Sequence, residues 1–405
     1  MIQEISILSK NINTSNKWLL IGVKEREILN ENNFKNQDNK NKIKFFFLIF
    51  LSFLNILVTF FIHKWSGLKE GFESLPEHLV VKSDRSYRHH NYLRHINKNK
   101  VYPYRIFEVF NRKSYAKLKK LKFSKILFHF IKQYQLINKF CEEYRGLRIS
   151  KLVKENALLN LAPYSFFLAL FEEIKLDTPK INIFHSGSHL LALAANNSGI
   201  SSTHLTHGLV INNLYSSYAD DDHIYVYSKE EANFFEEFWP NAKVSIYPMQ
   251  KVETKLKKIT GFLQYESTFD DVKKKDLLDL LNFFNGMSYQ VLVKPHPATD
   301  IESIKALKAL SNDLNILEHD EISTNELLVE QSPMFTFGWS STALCESLRS
   351  GIIPINLSPE DDEHMFMPYP FAKRALSWAK DKELIKGIVE NKVDYLGALA
   401  HLIDQ

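Results

Sequence analysis

From residue 179 onward the chain alternates short apolar runs with longer segments of helical character. Runs of strand length fall at 181–184, 203–206, 224–227, 259–263, 289–293, 315–317, 334–337 and 352–357. Between them, 188–197, 229–238, 270–284, 303–310 and 340–349 have the pattern of helices. Gly199 and Gly351 stop two of these, and Trp239-Pro240 breaks a third. Ser323-Thr-Asn-Glu326 has capping-box spacing ahead of Leu327. Strands alternating with helices predict parallel sheets covered on both faces. The Lys-rich segment 250–258 separates two Rossmann-like halves. The expected organisation is an N-terminal domain over 1–250, a C-terminal domain over 251–375, and helices at 376–405 packing back across both.

The first half follows another pattern, aromatic, basic and helix-rich, with strand signals at 18–23 and 78–82. Over 114–140, Leu118, Leu121, Leu127, Phe128, Ile131 and Tyr134 are interleaved with lysines, as in a basic amphipathic helix. Residues 45–62 are apolar and sit at the lower edge of membrane-spanning length. Ser52, Asn55 and Thr59 recur there at helical spacing. Lipid on every side would not reward that polar stripe, so the segment is expected to pack on protein or lie in a membrane interface.

Charge sharpens this picture. From Arg85 to Lys139 there are fifteen Lys or Arg and one acidic residue, Glu108, a local charge of +14. The whole chain carries +4, so the remainder is about ten charges negative. Such asymmetry predicts a surface facing something anionic, a lipid headgroup or an acidic glycan; a solvated helix face is the plainer alternative. No recognisable nucleic-acid module accompanies the basic stretch. A non-catalytic assembly or nucleic-acid-binding role is the outlying alternative. Cys141 and Cys345 stand far apart with no CxxC spacing. That argues against a disulfide framework or structural zinc and fits a reducing cytosol. The N-terminus is polar, without a cleavable signal pattern.

Candidate chemistry gathers where strands end. Val291-Leu-Val-Lys-Pro-His-Pro-Ala298 delivers Lys294 and His296 on a backbone stiffened by Pro295 and Pro297. A cation and an imidazole there suit a phosphate-bearing ligand. Ser340, Ser341 and Thr342 begin a helix, where unpaired N–H groups hold phosphate, although serines also cap helices with no ligand present. Glu346, one turn on, suits a ribose diol unless it simply faces solvent. Gly261, in the strand at 259–263, completes the donor-binding set with Gly208. His207 before Gly208 is either a general base or a ligand-positioning group. Asp220-Asp-Asp222 has the look of a metal-binding DxD, but it precedes a strand and reads as a solvated loop. No metal and no other cofactor is expected.

His296-Pro297 and the Ser340-Ser341 pair together resemble bacterial GT-B glycosyltransferases of capsule and surface-polysaccharide synthesis, over about residues 180–360. The chain looks most like enzymes that use CMP-activated nonulosonic or ulosonic acids, the sialyl-, Kdo- and pseudaminic-type transferases. That resemblance implies an α/β fold with two Rossmann-like domains facing across a cleft. It also implies His296 on the donor phosphate and the serine pair at a phosphate-holding helix start. Implied partners are a nucleotide-sugar and a glycan or lipid-linked glycan, at the inner face of the cytoplasmic membrane. Those sialyltransferases carry an acidic residue before a glycine as base, where this chain has His207-Gly208. His-Gly followed by Lys-Pro-His-Pro also resembles the CDP-glycerol phosphotransferases of teichoic-acid synthesis, so polyol-phosphate transfer stands as the alternative.

Overall fold

The computed structural model describes residues 18–20, 47–54, 56–58, 60–61, 78–81, 101–104, 121–145, 149–177, 180–186, 189–206, 221–227, 229–238, 241–247, 256–262, 271–295, 301–310, 315–317, 324–339, 342–357 and 374–404. The chain divides into two compact units, Met1–Tyr247 and Pro248–Gln405. Each contains a six-stranded sheet in which every pairing is parallel. Two such α/β units in one chain, the first with added helices, are the composition of a GT-B fold.

The strands of the first unit are β1 (His78–Val81), β2 (Val101–Tyr104), β3 (Asn182–His185), β4 (Ser201–Leu205), β5 (His223–Val226) and β6 (Lys243–Ile246). Their order across the sheet is β2-β1-β3-β4-β5-β6. The edge strands β2 and β6 escape sequence reading. β2 carries Pro103, which an edge tolerates, and β6 is only partly covered. Residues 18–20, expected as a strand, form a 3₁₀ turn instead. Trp18 is fully buried there and stacks on Tyr164 with ring centroids 4.5 Å apart. A short buried apolar run fits either element, and its period cannot choose between them.

Helices α1 (Phe47–Val58), α2 (Phe123–Glu143) and α3 (Ile149–Asp177) build most of this unit's core, with α4 (His189–Asn197) against the sheet. Sequence patterning predicts α2 but misses α3, because α3 is apolar nearly all round and shows no one-sided stripe. Its segment Leu152–Leu176 is long and apolar enough to cross a membrane, yet 72% of that apolar window is buried within the unit. In α1 the polar stripe finds a partner: buried Ser52 donates from Oγ to the Leu158 carbonyl at 2.6 Å. Asn55 and Thr59 lie outside the described residues. Lys125 joins α2 to α3 through Glu172 (3.1 Å) and Glu173 (2.8 Å), so part of the basic stretch is neutralised inside the unit. At the end of α4, Gly199 adopts φ +71°, and Ile200 N–H donates back to the Ala195 carbonyl. Helix α5 (Lys229–Phe238) follows β5.

In the second unit the strands are β7 (Leu256–Phe262), β8 (Gln290–Lys294), β9 (Asn315–Ile316), β10 (Pro333–Gly338), β11 (Ile353–Asn356) and β12 (Leu376–Ser377). β7 absorbs the last residues of the expected linker. The order is β12-β11-β10-β7-β8-β9, which from its other edge is third, second, first, fourth, fifth, sixth. That is the Rossmann order. Helices α6 (Asp271–Gly286), α7 (Ile301–Leu310), α8 (Thr324–Gln331) and α9 (Thr342–Arg349) connect these strands. The closing stretch is a strand, β12, and two helices, α10 (Lys382–Val389) and α11 (Tyr395–Asp404). Tyr395 ties α11 to this unit's sheet: its hydroxyl lies 3.0 Å from the Met334 and Gly351 carbonyls and accepts from Ile353 N–H.

Gly261 has a packing reason to lack a side chain. It sits opposite Phe337 in register, and a Cβ added there would stand 2.2 Å from Phe337 Cζ. Phe337 is fully buried and cannot swing away. Gly261→Ala should therefore cost about 1–3 kcal/mol, the scale of overpacking a filled core. Thermal unfolding should show a transition several degrees lower; an unchanged melting temperature would mean the ring has room to move.

Candidate functional site

In a doubly wound sheet the ligand crevice opens where the strand order reverses, beyond the carboxyl ends. In the second unit that point lies between β7 and β10. Lys294, Phe262, Gly338 and Asn356 stand in register as one row across four adjacent strands, β8, β7, β10 and β11. The row is closed by Leu357 N–H donating to the Gly338 carbonyl at 2.9 Å. Lys294 is half-buried and Pro295 buried at the end of β8. Thr342 is the first residue of α9.

Glu346 is buried one turn into α9, which removes the solvent-facing reading of this residue. Two serines of the same region are occupied within the helix. Ser347 Oγ donates to the Ala343 carbonyl at 2.7 Å, and Ser350 Oγ to the Glu346 carbonyl at 2.9 Å. Lys294, Pro295, Thr342 and Glu346 therefore all belong to the row or to the elements that leave it. His296, Pro297, Ser340 and Ser341 are adjacent in sequence but lie outside the described residues, as do His207 and Gly208.

The chain is pinned up to the residue before His207. Thr206 donates from its N–H (3.1 Å) and Oγ1 (2.7 Å) to the Tyr225 carbonyl, and its own carbonyl accepts from the Tyr247 hydroxyl at 3.2 Å.

Sequence reasoning missed a second cluster, in the first unit. There the strand order reverses between β1 and β3, and His185 is the last residue of β3. His185 pairs in register with His204 of β4, and their rings stack at 5.0 Å and 10°. His189, the first residue of α4, meets His204 edge-on at 5.1 Å. Asp221 corrects the solvated-loop reading of Asp220-Asp-Asp222, being only 2% exposed. Its Oδ1 lies 2.8 Å from His185 Nε2 and accepts from Ser202 Oγ at 2.5 Å. Neighbouring Asp222 does face solvent, but it accepts from Ser202 N–H and Ser201 Oγ and so clips the start of β4.

Burial alone would push the Asp221 carboxyl up; the His185 ring, then His204 and the Ser202 hydroxyl, hold it well below the usual carboxylate range. Burial pushes His204 well down, and the His185 and His189 rings add to that, against an opposing pull from Asp221. Both effects favour the neutral form of the His204 imidazole. No linear motif announces this group. The only sequence signal was Asp221 beside two other acids, because its partners lie 17 to 36 residues upstream (221 − 204 = 17, 221 − 185 = 36).

No protein-family model matches the chain, and no curated protein matches it. Solved structures give distant likenesses. UDP-GlcNAc 2-epimerase from Neisseria meningitidis, bound to UDP-GlcNAc, is 13% identical with a TM-score of 0.42, over 59% of this chain and 76% of that one. TarM is 10% identical with a TM-score of 0.39, over 60% and 55%. UGT2 of Phytolacca americana, complexed with UDP-2fluoro-glucose and pterostilbene, is 11% identical with a TM-score of 0.35, over 61% and 75%. At these scores the likenesses decide neither activity nor donor.

Proposed function

We propose that the protein is a glycosyltransferase of surface-polysaccharide synthesis. It would move a CMP-activated nonulosonic or ulosonic acid onto a capsular or other surface glycan, without a catalytic metal. The observation that carries this reading is the strand order of the second sheet. Its switch point falls beside Lys294, Pro295 and the start of α9, the segments that also carry the phosphate-suited residues. In this reading Lys294, His296, Ser340 and Ser341 stabilise the departing nucleotide phosphate, Thr342 belongs to the same helix start, and Glu346 receives the ribose. His207 takes the acceptor's proton or positions a ligand. Transfer of a polyol phosphate from a CDP-polyol is the second reading on the same residues.

Nucleotide-dependent stabilisation separates these readings. CMP at about a hundredfold excess over its Kd should raise the melting temperature by about 5 °C or more. A larger shift with CDP-glycerol would favour polyol-phosphate transfer. A shift with UDP alone would retain sugar transfer and replace the donor, and no shift with any of the three would sink the proposal.

For the acceptor side we propose peripheral attachment to the inner face of the cytoplasmic membrane. Phe47, Phe50, Leu51, Leu54, Val58 and Phe61 recur at three- and four-residue spacing and are all exposed, Phe61 at 65%. Ser52 and Ile56, by contrast, are buried. On α2, Phe128 and Ile131 are exposed among the lysines of the basic stretch. An apolar stripe plus Lys and Arg supplies the two signals that stable peripheral binding needs. The full chain should sediment with vesicles of mixed phosphatidylcholine and phosphatidylserine. The double variant Phe50→Ser, Phe61→Ser should bind at least about tenfold more weakly, from the apolar area it withholds. Wild-type protein that stays in the supernatant at low salt would end this part of the proposal.

A further inference from the structure

We propose that His189, His204 and Asp221 form a binding site for one divalent transition-metal ion of the zinc class, using none of the residues given to the donor. One donor atom from each residue lies within 4.8 Å of the other two. Two imidazole nitrogens and a carboxylate oxygen are a zinc donor set, with bonds of about 2.0–2.2 Å. Around a tetrahedral ion such donors stand roughly 3.5 Å apart, so a small side-chain rotation closes the set. The three residues come from three places in the fold, the start of α4, strand β4 and the turn before β5. Only the folded first unit brings them together, so the ion would link these three elements.

The surroundings suit a ligand set. His185 and Ser202 both engage Asp221 Oδ1, which fixes the plane of the carboxylate. Asp221 Oδ2 is buried and meets no hydrogen-bond partner among the described residues. Polar groups that orient a ligating carboxylate from behind are the usual outer layer of a metal site. The stacked His185 ring likewise fixes the plane of His204. Two nitrogens out of three donors disfavour Mg²⁺ and Ca²⁺, which take oxygen ligands. Three protein ligands leave a fourth position for water or a further ligand.

The test uses the full chain, stripped with a chelator and then titrated with Zn²⁺ by calorimetry and thermal shift. One equivalent should bind, and at about a hundredfold excess over the Kd the melting temperature should rise by about 5 °C or more. Mg²⁺ should give no comparable rise. His189→Gln and His204→Gln should each weaken Zn²⁺ binding at least about tenfold. His189 stands half-exposed at a helix start, so its variant keeps the test valid if the His204 variant does not fold. The proposal is overturned if wild-type protein takes up no Zn²⁺, if His189→Gln binds it undiminished, or if Mg²⁺ stabilises as well as Zn²⁺.

Discussion

Asp221→Ala should cost the first unit about 3–5 kcal/mol, the scale of leaving two buried groups without the carboxylate that both of them meet. Both Asp221 and His185 are buried, and the carboxylate also serves the Ser202 hydroxyl. Removing it leaves two buried donors without their acceptor, each with a desolvation cost of its own. It also takes away the negative charge that His204 and His185 face across the cluster. Against a domain stability of about 5–15 kcal/mol, this loss takes a large share of the total. Asp221→Asn keeps an oxygen in place for both donors and should lose about half as much. Denaturant unfolding of the full chain, followed through the first unit's transition, measures both variants. If both lose less than about 1 kcal/mol, the pair does not anchor β3 to the turn before β5.

How much of this was legible in the sequence depends on the kind of signal each element leaves. Strands such as β8 and β10 are buried on both faces and bounded by Pro, Gly or Ser, so a short apolar run betrays them. Helix α3 and the 3₁₀ turn at 18–20 leave no such period, because they are surrounded by core on nearly every side. The positions of Lys294 at the end of β8 and Glu346 in α9 were legible because strand end and helix start are local features. The histidine cluster could not. His185, His189, His204 and Asp221 become neighbours only through the register of β3 with β4 and the return of the chain before β5. Gly261 shows a third kind of limit. A glycine at a strand end invites a ligand reading, whereas the space it leaves holds the Phe337 ring.

His296→Ala should cut turnover at least about a hundredfold with the fold intact, the scale of losing one preorganised donor to developing charge. The residue lies two positions past Lys294 in sequence and between two prolines, Pro295 being buried. Lys294 itself shares a register row with Phe262 and Gly338, at the point where the Rossmann order reverses. Chemistry placed just beyond that row meets whatever occupies the crevice. In the proposed transfer the leaving phosphate would gain charge as its bond to the sugar breaks, so a donor there would act more strongly in the transition state than on bound substrate. The loss should therefore appear mainly in kcat, with KM for the donor changed much less. A rise in KM with kcat untouched would make His296 a ground-state contact only. Near-normal turnover in a variant with wild-type melting temperature would remove His296 from the site and leave Lys294 to carry the phosphate.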